Sequence, residues 1–108
     1  MSALTSKHCK VCEGGTPPLT PKQAQELLKQ TGNWALNDSG TEISRTFEFK
    51  NYYKTMAFVN ALAWIAHQED HHPDLEVSYN KCRVRYTTHA VKGLTENDFI
   101  CAAKIDAL

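Results

Sequence analysis

Pairs of short strands separated by single helices predict one α+β domain, a four-stranded antiparallel sheet with three helices packed on one face. Three observations point there. Two stretches alternate apolar and polar residues around turn-forming positions, as β-hairpins do. Residues 51 to 68 repeat apolar side chains at helical spacing. Shorter helical patterns open and close the periodic region, giving the order α-β-β-α-β-β-α. The 108 residues suffice for one domain and one core.

Residues 1 to 18 show no periodicity and contain Gly14-Gly15 and Pro17-Pro18, which predicts an irregular N-terminal arm ahead of a domain spanning 19 to 108. Thr20 has the character of a helix N-cap, with Pro21 at the first helical position and Gln23 completing a capping box. Ala24, Leu27 and Leu28 form the apolar stripe, and Gly32 stops this helix near residue 31. Trp34 and Leu36 suggest a short strand, and Asn37-Asp38-Ser39-Gly40 is turn chemistry. Residues 42 to 49 then place Ile43, Phe47 and Phe49 on one face, interrupted by Arg45.

The long helix carries Tyr52, Met56, Val59, Ala63 and Ala66 on one stripe and Phe58, Leu62 and Ile65 on the next, with Trp64 beside them. That arc is wider than one sheet contact requires. It predicts either cover by a second copy, hence a homo-oligomer, or cover by the chain's own elements. After Pro73, Leu75, Val77 and Tyr79 alternate with polar residues, as do Cys82, Val84, Tyr86 and Thr88. A two-residue turn at Asn80-Lys81 would pair Tyr79 with Cys82, Val77 with Val84 and Leu75 with Tyr86. Extended, that register sets position 72 opposite position 89. Gly93 ends the connection, and Thr95 caps a last helix with Glu96 and Asp98 in its first turn, its buried side built from Phe99, Ala102, Ala103 and Ile105.

Twelve basic and twelve acidic residues balance, so neither a nucleic-acid nor a membrane footprint is expected. No apolar run approaches a membrane span and the N-terminus lacks a signal-peptide centre, which predicts a cytoplasmic protein. Cys9-x-x-Cys12 is half of a zinc-ribbon pattern without its second half, since Cys82 and Cys101 stand alone. Two free thiols in the arm are the simpler reading.

The densest chemistry is His67-Gln68-Glu69-Asp70-His71-His72-Pro73, at the end of the long helix. Pro73 must break the helix, since the residue before proline avoids helical angles. His67 and His71 share a helical face and with His89 could bind zinc, but the His-Glu-x-x-His arrangement is absent. Histidines around one pocket suit proton transfer near neutral pH, with Asp70 or Glu69 able to orient one of them. Such a site suits a dehydration. Surface histidines at a helix C-terminus, where cations meet the helix dipole, are the alternative.

The set His67, His71-His72-Pro73, Tyr79, His89 and Asp98 resembles the signature of the pterin-4a-carbinolamine dehydratase family. The similarity extends to Trp34, Arg45-Thr46-Phe47-Glu48-Phe49, Thr88-His89 and Gly93-Leu94-Thr95, and spans most of residues 19 to 106. It implies dehydration of a 4a-hydroxytetrahydropterin to quinonoid dihydropterin without metal or cofactor, recycling the pterin of aromatic amino-acid hydroxylases. It implies catalytic histidines at His71, His72 and His89, substrate contacts at Pro73, Thr88, Ala90, Val91 and Asp98, and, as the other role for the acidic Asp98, support of a histidine. It also implies a homodimer or homotetramer. The backbone of 88 to 91 would offer free donors and acceptors to the pterin edge. Position 67 is often glutamate in the family, and some animal members carry arginine where Asn97 stands. A pterin-binding or protein-partner module without turnover, or a role in molybdopterin metabolism, are the alternative functions.

Overall fold

The computed structural model describes residues 3–11 and 16–108; Cys12 and Gly14-Gly15 lie outside the described residues. Among these, the principal elements are α1 (Pro21–Leu28), β1 (Ala35–Leu36), β2 (Ile43–Glu48), α2 (Tyr52–Glu69), β3 (Asp74–Val77), β4 (Lys81–Tyr86) and α3 (Glu96–Asp106). The strands form one antiparallel sheet in the order β1-β2-β4-β3. The expected α+β architecture and element order are therefore present.

Local chemistry sets the element ends. Thr20 and Gln23 form the reciprocal capping box of α1, with Gln23 N–H donating to Thr20 Oγ1 at 3.2 Å and Thr20 N–H to Gln23 Oε1 at 2.9 Å. This helix stops at Leu28, short of the expected residue 31, because Gln30 and Thr31 tighten into turns bonded to Leu27 and Leu28 carbonyls. Asn51 caps α2 by accepting Lys54 N–H at 2.9 Å.

One face of the sheet is apolar and covered by the helices. Ile43, Cys82, Val84 and Tyr86 are fully buried against Leu62 of α2 and Phe99, Ile100, Ala102, Ala103 and Ile105 of α3. Each buried Phe or Ile there contributes about 1.5–3 kcal/mol relative to exposure. Arg45, the charge on the apolar face of β2, is neutralised: its Nη1 donates to Asp106 Oδ1 at 2.7 Å while its guanidinium lies 4.4 Å above the Phe47 ring. The same Asp106 carboxylate accepts Trp34 Nε1–H at 2.8 Å and Gly32 N–H at 2.7 Å, which ties the end of α3 to the start of β1.

The second hairpin differs from the expected register. Leu75 pairs with Val84 and Val77 with Cys82, so the turn residues are Tyr79-Asn80, not Asn80-Lys81. The shift is two positions along β4, which keeps the same side chains inward and, extended, sets position 72 opposite 87 and not 89. What decides between the registers lies outside the hairpin. The turn carbonyls of Tyr79 and Asn80 accept the Thr55 hydroxyl at 2.9 Å and Phe49 N–H at 2.8 Å.

Part of the arm is ordered against the domain. Ala3–Ser6 form a 3-10 turn that buries Leu4 to 1% exposure in the core beside α3. Ahead of α1, Leu19 N–H donates to Leu94 O at 2.8 Å, and a Cβ at Gly93 would stand only 2.8 Å from Pro18 Cβ. The chain passes Gly93 too closely for a side chain.

Candidate active site

His71 and His72 leave α2 at a sharp corner. Asp70 adopts left-handed backbone (φ 49°, ψ 44°), His71 N–H reaches back to Ala66 O at 3.1 Å, and Asp70 N–H to His67 O at 3.3 Å. These two bonds satisfy carbonyls that a helix end leaves without partners. Aspartate enters this region more readily than most residues. The helix thus ends at Glu69, and Asp70, not Pro73, turns the histidines off its axis.

Asp98 orients His71. His71 Nε2 lies 2.6 Å from Asp98 Oδ1, and the imidazole stacks on Tyr86 with centroids 5.3 Å apart and planes at 12°. Asp98 is fully buried, and its Oδ2 accepts the Thr88 hydroxyl at 2.8 Å and Thr95 N–H at 3.0 Å. A carboxylate only accepts, so its bond fixes a proton on Nε2 and leaves Nδ1 as the other working nitrogen. Burial alone would lower the pKa of His71. The bond to Asp98 and its charge outweigh that, and the net direction is upward. Burial pushes the Tyr86 phenol up, so it stays protonated and donates to His71 O at 3.4 Å.

His89 opens a 3-10 turn, His89–Val91, just beyond β4. Thr88 does not offer free backbone to a ligand, as the sequence suggested. It exchanges both backbone bonds with Gly93, at 2.8 and 3.4 Å, while its hydroxyl lies under Asp98. The α2 corner and the end of β4 enclose a cleft of about 540 Å³ lined by His71, His72, Thr87, Thr88, His89 and Ala90. That size is within the range of small-molecule sites. Pro73, Val91 and Asp98 do not line it: Val91 is 8% exposed and Asp98 lies behind His71. His67 also stands outside, its ring 6.1 Å from that of Trp64.

The part that the arm takes in the lining was not expected from the sequence. Cys9, Lys10 and Val11 of the arm, with Gln68, Glu69, Asp70 and Asn97, complete the cleft. Asn97 clasps the arm in both directions: Lys10 N–H donates to its Oδ1 at 3.0 Å and its Nδ2 donates to Lys10 O at 2.6 Å. Glu69 is not the orienter of a histidine in the cluster. It accepts Cys9 N–H at 2.7 Å, the His8 ring at 3.0 Å and Lys104 Nζ at 3.4 Å. Burial pushes its pKa up, but these donors prevail and hold the carboxyl below its ordinary value. Cys9 Sγ lies 3.6 Å from Cys101 Sγ; that bond, then burial and the Glu69 charge, raise its pKa, so Cys9 keeps its proton.

Comparison with known proteins identifies the family. A sequence profile described as pterin 4 alpha carbinolamine dehydratase matches residues 17–108. A protein of Nitrosomonas eutropha provisionally named pterin-4-alpha-carbinolamine dehydratase is 65% identical over 106 residues, 97% of this chain and 92% of that one. A Legionella pneumophila protein with the same provisional name is 58% identical over 108 residues, 99% of this chain and 96% of its own. The crystal structure of a transcriptional coactivator/pterin dehydratase from Brucella melitensis superposes with a TM-score of 0.80 at 33% identity, covering 83% of this chain and 96% of that one. A pterin dehydratase-like protein identified as a RuBisCO assembly factor in the α-carboxysome shares the fold at 22% identity and a TM-score of 0.61, over 70% of this chain and 88% of its own. The profile match over most of the chain and the identities above half place this protein in the pterin-4a-carbinolamine dehydratase family.

Proposed function

We propose that this chain dehydrates a 4a-hydroxytetrahydropterin to quinonoid dihydropterin and water, with His71, His72 and His89 as the acid–base groups, and so recycles the pterin of aromatic amino-acid hydroxylases. The observation that carries this reading is the 2.6 Å pair of His71 with fully buried Asp98, in a cleft shared with His72 and His89. In the reaction the C4a–O bond breaks and its hydroxyl leaves as water. The N5 proton departs and the C4a–N5 double bond forms. One group must therefore give a proton while another takes one.

His71 suits the acid, because its raised pKa keeps the imidazolium populated to higher pH than in an ordinary histidine. His89 or His72, exposed in the same cleft, then takes the N5 proton. Asp98 acts as a positioning residue that holds one tautomer of His71 and favours its charged form. Thr88 supports Asp98 from below, and Ala90 borders the substrate. Pro73 and Val91 are not among the residues that line the cleft. Proton transfer by side chains needs no metal.

We also infer a homodimer or homotetramer working in the cytoplasm. The oligomer is supported by the outer face of α2, where Tyr53 and Trp64 are 78% and 61% exposed.

The test is turnover of freshly generated 4a-hydroxytetrahydropterin by the purified chain after chelator treatment. Dehydration well above the uncatalysed rate, unchanged by the chelator, is expected. Tight pterin binding with no acceleration would favour a binding module instead.

A further inference from the structure

The arm brings an apolar side chain, Val11, to the cleft. Val11 lines the cleft yet is 92% exposed. An isolated exposed valine is ordinary. This one sits on a segment held with unusual care. Leu4 anchors it in the core at 1% exposure. Cys9 N–H is bound by Glu69, whose side chain is 5% exposed. Lys10 is clasped through both its backbone groups by Asn97, itself 7% exposed. Buried polar groups such as Glu69 and Asn97 are costly unless satisfied, so the arm and its two holders are mutually dependent.

Asn97 and Asp98 are neighbours in the first turn of α3. One clasps the wall of the cleft and the other orients His71 within it, so both are referenced to the same rigid helix. Catalytic groups and the surfaces that place substrate beside them need such a common frame. A flat bicyclic ring in the cleft would cover the exposed Val11 and give it an apolar contact.

We propose that residues 3–11 of the arm, docked on the domain, are a substrate-binding wall, with Val11 as the residue that touches the pterin and Asn97 and Glu69 as the positioning residues that hold it there. The inference rests on the dehydratase reading for the identity of the ligand. It extends the binding site into a segment that precedes the region matched by the family profile, residues 17–108.

The experiment pairs Val11→Asp with Asn97→Ala and reads two quantities against wild type. These are KM and kcat for the carbinolamine, and the Kd of 7,8-dihydropterin from quenching of intrinsic fluorescence. Val11 is almost wholly exposed, so Val11→Asp should melt with wild type. It is expected to raise KM and Kd about tenfold, the scale of losing one buried valine contact, with kcat within about twofold. Asn97→Ala should move KM and Kd in the same direction by releasing the wall. Wild-type KM and Kd in Val11→Asp would overturn the inference, whatever Asn97→Ala does. So would a fall in kcat with KM unchanged. If wild type binds dihydropterin without turnover, the dehydratase reading fails and the Kd comparison still decides the role of the arm. If wild type binds no pterin at all, both fall.

Discussion

Asp98 and His71 form one tightly held pair at the cleft. The carboxylate is wholly buried, yet Thr88, Thr95 and His71 supply donors to it. That satisfaction is what makes a buried charge tolerable. His71 titrates above its ordinary 6.5 in the fold. Its ion pair therefore contributes stability fully below about pH 6.5, and the contribution is lost as pH rises through the raised value. Asp98→Asn keeps an accepting oxygen but removes the charge. Its denaturation midpoint should fall further below wild type near about pH 5.5 than near about pH 9. The decline of kcat with rising pH should also begin at lower pH in the variant. Superimposable pH profiles would mean that Asp98 does not tune His71. The candidates were legible in the sequence from type and spacing: three histidines near a helix end, a fourth after a strand, and an acid in the first turn of a helix. The residues alone named Asp70 or Glu69 as the orienter, and the resemblance left Asp98 between supporting a histidine and binding substrate. The choice depends on how α3 is laid against the end of β4.

At the scale of elements, the corner between α2 and β3 aims the histidines. Asp70 in left-handed backbone makes that corner. Asp70→Gly should be neutral or slightly stabilising, because glycine enters that region without steric cost. Asp70→Val should cost roughly 1–2 kcal/mol and lower kcat by displacing His71. Thermal melts and initial rates on the two variants check this; equal melting temperatures would show that the corner is not strained. The β3–β4 hairpin marks a limit of reading by pattern. Its alternation identified both strands and their inward faces, but a two-residue shift leaves every face unchanged. The observed register is fixed by Thr55 and Phe49, residues of α2 and of the segment after β2. Pairing rules within the hairpin contain no information about them.

For the whole molecule, the sequence yields the layers readily, because strands with one apolar face and helices with one apolar stripe have few ways to bury both. It conceals the arm. Residues 3–11 have no periodicity, and what holds them is a set of remote partners: Glu69, Asn97 and Cys101. Only the folded chain brings these together. The outer face of α2 shows the opposite case, a sequence pattern wider than the monomer covers. Tyr52, Tyr53 and Trp64 remain exposed on it, with Tyr79 stacked 6.4 Å from Tyr52. Sedimentation of wild type should show a dimer or tetramer, and Trp64→Glu or Tyr53→Glu should shift it toward monomer. A wild-type monomer at micromolar concentration would remove this face from consideration as a subunit interface.

The central claim is that the histidines of the cleft perform the dehydration. The most direct measurement is the rate of 4a-hydroxytetrahydropterin dehydration by wild type, His71→Ala and His89→Ala, each checked for native melting. Each substitution is expected to lower the rate by roughly a hundredfold or more, the scale of general acid–base catalysis. Wild-type rates from both folded variants would contradict the account.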